Sequence, residues 1–191
     1  RIGEAYLYAG CGFGGPGFSR DVMSLTRALH RRAANAGLLE EVLEVNERQK
    51  EVLFRRFWQY FGGEVAGRRV ALWGVAFKPG SDRVDNAPAL NLITALAAQD
   101  VTIRVHDPLA LPELRAWAGE GMPLEFCEDP YEAVRDVDAL MLVTEWKLYW
   151  SPDWAYLHEH MRTPLILDGR NIYDPAFVRN RGLLYQGVGR G

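Results

Sequence analysis

The chain has 191 residues, 48% of them hydrophobic and 25% charged, with a net charge of −3 at pH 7. That composition suits a packed globular protein and, with Arg and Lys scattered along the chain, excludes a basic nucleic-acid-binding surface. Apolar runs such as residues 139–143 are far too short to span a bilayer and no basic-then-apolar leader opens the chain, so a membrane is not an expected partner.

The first recognisable feature is the glycine-rich stretch Gly10-Cys-Gly-Phe-Gly-Gly-Pro-Gly17. Val22, Leu25 and Leu29 follow at helical spacing, which predicts a first helix that Gly37 stops. A longer apolar pattern over residues 38–61 contains neither Pro nor Gly and ends at Gly62-Gly63, which predicts one long helix packed on another helix or another subunit. Past Gly63 the period changes. Residues 69–77, 101–105, 139–143 and 164–167 read as strands, and residues 87–98, 111–118, 130–135 and 154–161 as the helices between them. This alternation predicts βαβ units and a small doubly wound, mostly parallel α/β domain over residues 64–191, preceded by a helical segment over residues 1–63. Because the chain opens at Arg1, without Met and as if within an element, an N-terminal portion is expected to precede it.

Most of the motif-like stretches have ordinary explanations. Gly10 to Gly15 contains a GxGxxG match, but that signal needs a preceding strand and a βαβ unit, whereas here two helices follow. Gly74-Val-Ala-Phe-Lys-Pro-Gly80 has its Lys before its second Gly, the wrong order for a P-loop. Lys78 nevertheless stands where a strand ends, the place at which open α/β sheets collect ligands, and its ammonium suits a phosphate or a sugar oxygen. His158 and His160, two residues apart on a helix, point to different faces and do not make a metal site. Cys11 and Cys127 lack metal-ligand spacing and fit a reducing, cytoplasmic setting, with Cys127 a small core residue near a strand end. The six tryptophans, among them Trp146, Trp150 and Trp154, read first as core and domain-contact residues, although an aromatic ring beside a nucleotide site can stack on a base.

Several segments, in order along nearly the whole chain, resemble the UDP-glucose/GDP-mannose dehydrogenase family. They are Gly12-Phe-Gly-Gly-Pro-Gly-Phe-Ser-Arg-Asp21, Val45-Asn-Glu47, Gly74 to Asp82, His106-Asp-Pro108, Thr144-Glu-Trp146 and Asp168-Gly-Arg-Asn-Ile-Tyr-Asp174. The resemblance implies an enzyme that uses NAD twice to oxidise the primary alcohol of a UDP-sugar to a uronate. The intermediate would be a thioester on a cysteine, a residue type suited to the task because its thiolate is strongly nucleophilic near neutral pH. It further implies an N-terminal NAD-binding domain, a homodimer formed through the long helix, and a C-terminal UDP-binding domain.

Carried over residue by residue, the resemblance matches Arg1 to an arginine that reaches the sugar nucleotide of a neighbouring subunit. Tyr6, Leu7 and the stretch to Gly10 match a loop along the UDP, and Phe13 and Gly14 a turn over the sugar. Phe77, Lys78 and Arg170 match further sugar-nucleotide contacts, and Asp21 an aspartate that helps activate water. Arg20 stands where the family has a cofactor-side lysine. Two departures bear on catalysis. The nucleophilic cysteine falls at Gly17, and Cys11, six residues upstream, would need another loop geometry to replace it. The arginine expected to meet NAD falls at Asp85, an exchange of sign that repels a pyrophosphate. The expectation is therefore the UDP-sugar-binding portion of a dehydrogenase, inactive as this chain alone. One alternative is a degenerate relative that binds a UDP-sugar or only dimerises, and another is an unrelated α/β enzyme with Cys127 as nucleophile.

Overall fold

A computed structural model describes Gly3 and residues 7–190. Six parallel strands form one sheet in the order β3-β2-β1-β4-β5-β6, with β1 Arg69–Trp73, β2 Thr102–His106, β3 Leu124–Phe126, β4 Ala139–Leu142, β5 Leu165–Asp168 and β6 Leu184–Gly187. Right-handed crossovers place the connecting helices on both faces of such a sheet, and every central strand must then be apolar on both sides. β1 meets that demand by alternation. Val70 and Leu72 join the core under helices α3 (Val52–Tyr60), α4 (Pro88–Ala97) and α5 (Leu111–Ala118). Ala71 and Trp73 face the opposite core, under α6 (Pro130–Ala133), α7 (Trp154–His160) and α8 (Pro175–Arg179). The expected doubly wound α/β fold is the fold observed.

The two helices that precede it, α1 (Phe18–His30) and α2 (Gly37–Lys50), pack on each other, and α3 leads into the sheet. Leu53 and Phe57 of α3 are fully buried in the same core as β1, β4 and β5.

Four expectations are corrected. The helix predicted over residues 38–61 is two helices, interrupted at Glu51 (φ −89°, ψ −4°). The buried positions Asn46, Lys50, Leu53 and Phe57 keep helical spacing straight through the break, and no Gly or Pro marks it, so periodicity cannot detect it. Gly37 does not stop the first helix, which ends at His30; it opens α2, its N–H donating to Asn35 Oδ1 at 2.8 Å. The first strand ends at Trp73 rather than at residue 77, because Gly74 leaves the extended region with φ +84°. Two edge strands, β3 and β6, and the five-residue helix α8 go unpredicted: β4 and β5 are hardly longer but lie in the apolar runs 139–143 and 164–167, whereas β3 (Leu-Glu-Phe) and β6 (Leu-Tyr-Gln-Gly) are each broken by a polar residue, and α8 is too short to display a helical period.

Cys127 lies one residue beyond β3 and is buried, as expected of a small core residue near a strand end. Trp150 departs from the reading as core, being 54% exposed.

Candidate functional site

In a sheet of this order the strand sequence reverses between β1 and β4, and ligands ordinarily enter the crevice there, with the turn after β1 offering its amides to an anion. Here the chain occupies that seat itself. Val75 and Ala76 donate their N–H groups to Asp107 Oδ2 at 2.7 and 3.0 Å, and Trp146 Nε1–H adds a third bond at 3.1 Å. Gly74 is pressed against the segment that follows β4: a Cβ on it would lie 2.5 Å from Thr144 Cβ, and its φ of +84° disfavours any side chain. Thr144 Oγ1 closes the crevice by donating to Ala76 O at 2.5 Å.

The open cleft lies one strand further along, over the ends of β4 and β5, and the glycine-rich loop forms its roof. Each step of that loop is held. Gln49 Nε2 donates to Gly10 O at 2.7 Å, and Cys11 N–H donates to Gly169 O at 2.8 Å. Asn46 grips Phe13 from both sides, accepting from Phe13 N–H at 2.8 Å and donating to Phe13 O at 3.1 Å. Gly15 N–H donates to Asp85 O at 2.7 Å. Gly14 passes so close to the next segment that a Cβ would sit 2.3 Å from Asn86 O, so only glycine fits. Behind the loop Lys50, its side chain wholly buried, bridges Glu47 at 2.8 Å and Asn86 Oδ1 at 2.7 Å. The helix α2 and the 85–87 segment thus clamp a main chain rich in glycine, with only a few side chains of its own to pack.

Between this roof and β5 lies a cavity of about 520 Å³ lined by Gly10, Phe13, Val42, Asn46, Gln49 and Arg170, among others. A second hollow of about 400 Å³ lies on the other side of Arg170, bounded by Tyr8, Glu145 and Trp150. Arg170 belongs to both. Its N–H donates to Asp168 Oδ1 at 2.9 Å, its Nε donates to Val143 O at 2.6 Å, and its Nε stands 3.2 Å from Glu145 Oε2. Burial raises the carboxyl pKa of Asp168, and three donors hold that carboxyl in place: the N–H groups of Arg170 and Tyr173 and the Tyr185 hydroxyl. A guanidinium fixed in this way presents its remaining donors in a planar fork suited to phosphate oxygens.

The structure brings Gly10, Phe13 and Arg170 together around one cavity. Gly14 packs behind it on Asn86, and the Phe77 ring lies over Gly15, so near that a Cβ there would be 2.7 Å from the ring. Lys78 is exposed, its Nζ 5.5 Å from the Phe77 centroid, and it is not part of the cavity wall; neither is the exposed Leu7. Arg20 and Asp21 lie exposed on α1, 3.6 Å from each other. Arg1 and Tyr6 lie outside the described residues. Gly17 precedes α1, and a Cβ built on it meets no atom within 4 Å. Its neighbour Phe18 packs edge-on against Phe13 with centroids 4.8 Å apart, which ties that position to the cavity roof. Cys11 cannot take over as nucleophile: it is 1% exposed, and burial raises its thiol pKa although Arg170 is close.

Sequence reasoning missed the α2 wall of the cleft. Asn46 carried part of the resemblance, but nothing in the sequence indicated that its amide would hold Phe13. Glu145 and Trp150 were likewise visible as residues and silent as neighbours of Arg170.

Comparison with known proteins gives a consistent picture. The chain matches the UDP-binding domain of the UDP-glucose/GDP-mannose dehydrogenase family over residues 71–175 and the central domain of that family over residues 1–48. A UDP-glucose 6-dehydrogenase of Pseudomonas aeruginosa is 45% identical over 193 residues, an alignment covering 100% of this chain and 43% of the relative. One of Rhizobium meliloti is 34% identical, again over 100% of this chain and 43% of the relative. The solved structure of a UDP-glucose dehydrogenase from Pyrobaculum islandicum superposes with a TM-score of 0.85 at 29% identity, covering 100% of this chain and 41% of that one. The chain therefore spans about two fifths of the length of the relatives it matches.

Proposed function

The chain belongs to the UDP-glucose/GDP-mannose dehydrogenase family, and from that premise we propose that its cleft binds a UDP-sugar and that this chain alone does not oxidise it. The observation that carries the reading is the pairing of Arg170, a rigidly held cation, with the clamped Gly10–Phe13 main chain across one cavity. A guanidinium recognises the diphosphate, and backbone bare of side chains at Gly10 and Gly12 lets the ligand approach closely. Phe77, Lys78, Gly14 and Leu7 extend the contact surface by resemblance, as do Arg1 and Tyr6.

Each oxidation step requires a hydride acceptor, and the second, from aldehyde through a thioester to the uronate, requires a nucleophile as well. For the nucleophile, the position implied by the resemblance is Gly17, which has no side chain, and Asp21 has no acyl intermediate on which to direct water. For NAD the residues present do not fit. Asp85, at the position where the resemblance implies a cofactor-binding arginine, is a carboxylate held by Arg83 in two bonds of 2.7 and 2.9 Å, and that hydrogen-bonded pairing keeps its carboxyl pKa below the ordinary value. The amides after β1 are taken by Asp107, so the UDP-binding domain offers no dinucleotide seat of its own there. Arg20 is the one cofactor-side cation that the resemblance leaves, and Asp21 lies beside it.

We also infer a homodimer formed through α2. Leu38, Val42 and Val45 are exposed at helical spacing on that helix, and Phe18, Met23 and Leu25 are exposed on α1, an apolar area suited to a second copy. Leu38, Val42 and Val45 also line the cavity, so a partner seated there would help to close it. No helix among the described residues is long and apolar enough to cross a membrane, and the two unpaired cysteines suit a cytoplasmic setting.

The test is to incubate the chain with UDP-glucose and NAD and follow absorbance at 340 nm, alongside calorimetry with UDP-glucose. Binding heat without NADH is the expected result. Steady NADH formation would overturn the reading as non-oxidising, and absence of heat with UDP, UDP-glucose and GDP-mannose alike would overturn the reading as a binder.

A further inference from the structure

The hollow beyond Arg170 carries one step more, which rests on the cleft being a sugar-nucleotide site. We propose that the Trp150 indole is the platform on which the nucleobase stacks, with the ribose against Glu145 and the diphosphate on Arg170. Trp150 directly follows the 3₁₀ turn Lys147–Tyr149, and that turn is anchored. The Tyr149 ring is fully buried, stacked on Trp73 with centroids 4.9 Å apart, and its hydroxyl donates to His106 O at 3.1 Å. The indole N–H of Trp150 then donates to Glu145 O at 3.1 Å, which fixes the orientation of the ring.

This rigid indole is 54% exposed and makes no aromatic pair among the described residues. A large π face, oriented by a hydrogen bond yet left open on a hollow of about 400 Å³, suits a flat partner. Glu145 links it to the cation: its carbonyl holds Trp150 and its carboxylate stands 3.2 Å from Arg170. That carboxylate accepts no hydrogen bond among the described residues; its buried Oε2 has only the ion pair with Arg170. An acceptor-only group repels phosphate and welcomes hydroxyl donors, so beside Arg170 it favours the ribose diol and sets the order phosphate, ribose, base along the hollow.

The polar side chain best placed to read base edges is already engaged. Asn171 accepts from Val188 N–H at 2.8 Å and donates to Val188 O at 2.8 Å. Recognition by Trp150 is therefore by stacking, which tolerates any base.

The experiment measures binding of UDP, ADP and inorganic pyrophosphate to the chain and to its Trp150→Ala and Trp150→Phe variants, by calorimetry and intrinsic fluorescence. Trp150→Ala is expected to weaken UDP and ADP alike by about tenfold and to leave pyrophosphate unchanged. Trp150→Phe, which retains a ring, is expected to keep most of the affinity while losing the fluorescence quench that UDP produces in the parent. Unchanged UDP binding in Trp150→Ala, or an equal loss for pyrophosphate, would overturn the stacking role while leaving the cleft assignment standing. A parent chain that binds neither UDP nor UDP-glucose would overturn both.

Discussion

Replacing Asp107 by Ala is expected to cost about 4 kcal/mol of folding stability, a large share of what a domain of this size possesses. Asp107 is 3% exposed and accepts five hydrogen bonds: from the N–H groups of Val75 and Ala76, from those of Leu109 and Ala110 at 3.0 and 2.9 Å, and from Trp146 Nε1. Each buried donor left without an acceptor costs about 1–3 kcal/mol, and the total falls below the sum because some of these amides will recover water. Asp107→Asn keeps one oxygen acceptor and should lose about half as much. Urea unfolding of the three proteins measures this directly as a shift in midpoint at constant slope. A loss below about 1 kcal/mol for Asp107→Ala would mean that the carboxylate is not what holds the turn after β1.

The second large effect is on ligand affinity. Arg170→Ala is expected to weaken UDP-glucose binding by about 10- to 100-fold, the worth of charge-assisted hydrogen bonds to a phosphate. Arg170→Lys should recover little of it, because an ammonium lacks the planar fork and cannot be held through Nε to Val143 O as the guanidinium is. Both effects are read by calorimetry, with circular dichroism to check that the fold is retained. Binding unaltered by either substitution would remove Arg170 from the site.

Much of the fold was legible because buried parallel strands must be short apolar runs and their crossovers amphipathic helices; residues 139–143 and 87–98 display both rules. What failed to show was whatever has no period. The break at Glu51 is a change in backbone angle with an uninterrupted buried stripe, and β3 and β6 are edge strands of three and four residues that are not wholly apolar. Of the site, the glycine-rich loop and Arg170 were singled out through resemblance, and both line one cavity. Lys78 stands outside that cavity wall, since the strand that was to carry it ends at Trp73 and the following turn folds back onto Asp107. The neighbours that complete the site, Asn46, Gln49, Glu145 and Trp150, reach it from distant segments of the chain. Only the three-dimensional arrangement reveals them.

A Cβ built at Gly17 meets nothing within 4 Å, so the position has room for the side chain on which the resemblance places the chemistry. On the proposed reading, the clamped roof, the guanidinium and the indole would receive a sugar nucleotide whether or not a reaction follows.

A crystal structure of the chain with UDP-glucose is the most direct trial of this account. It should place the diphosphate on Arg170 beneath the Gly10–Phe13 loop and the uracil against Trp150. Ligand found instead in the crevice beneath Gly74, or no ligand bound at saturating concentration, would contradict it.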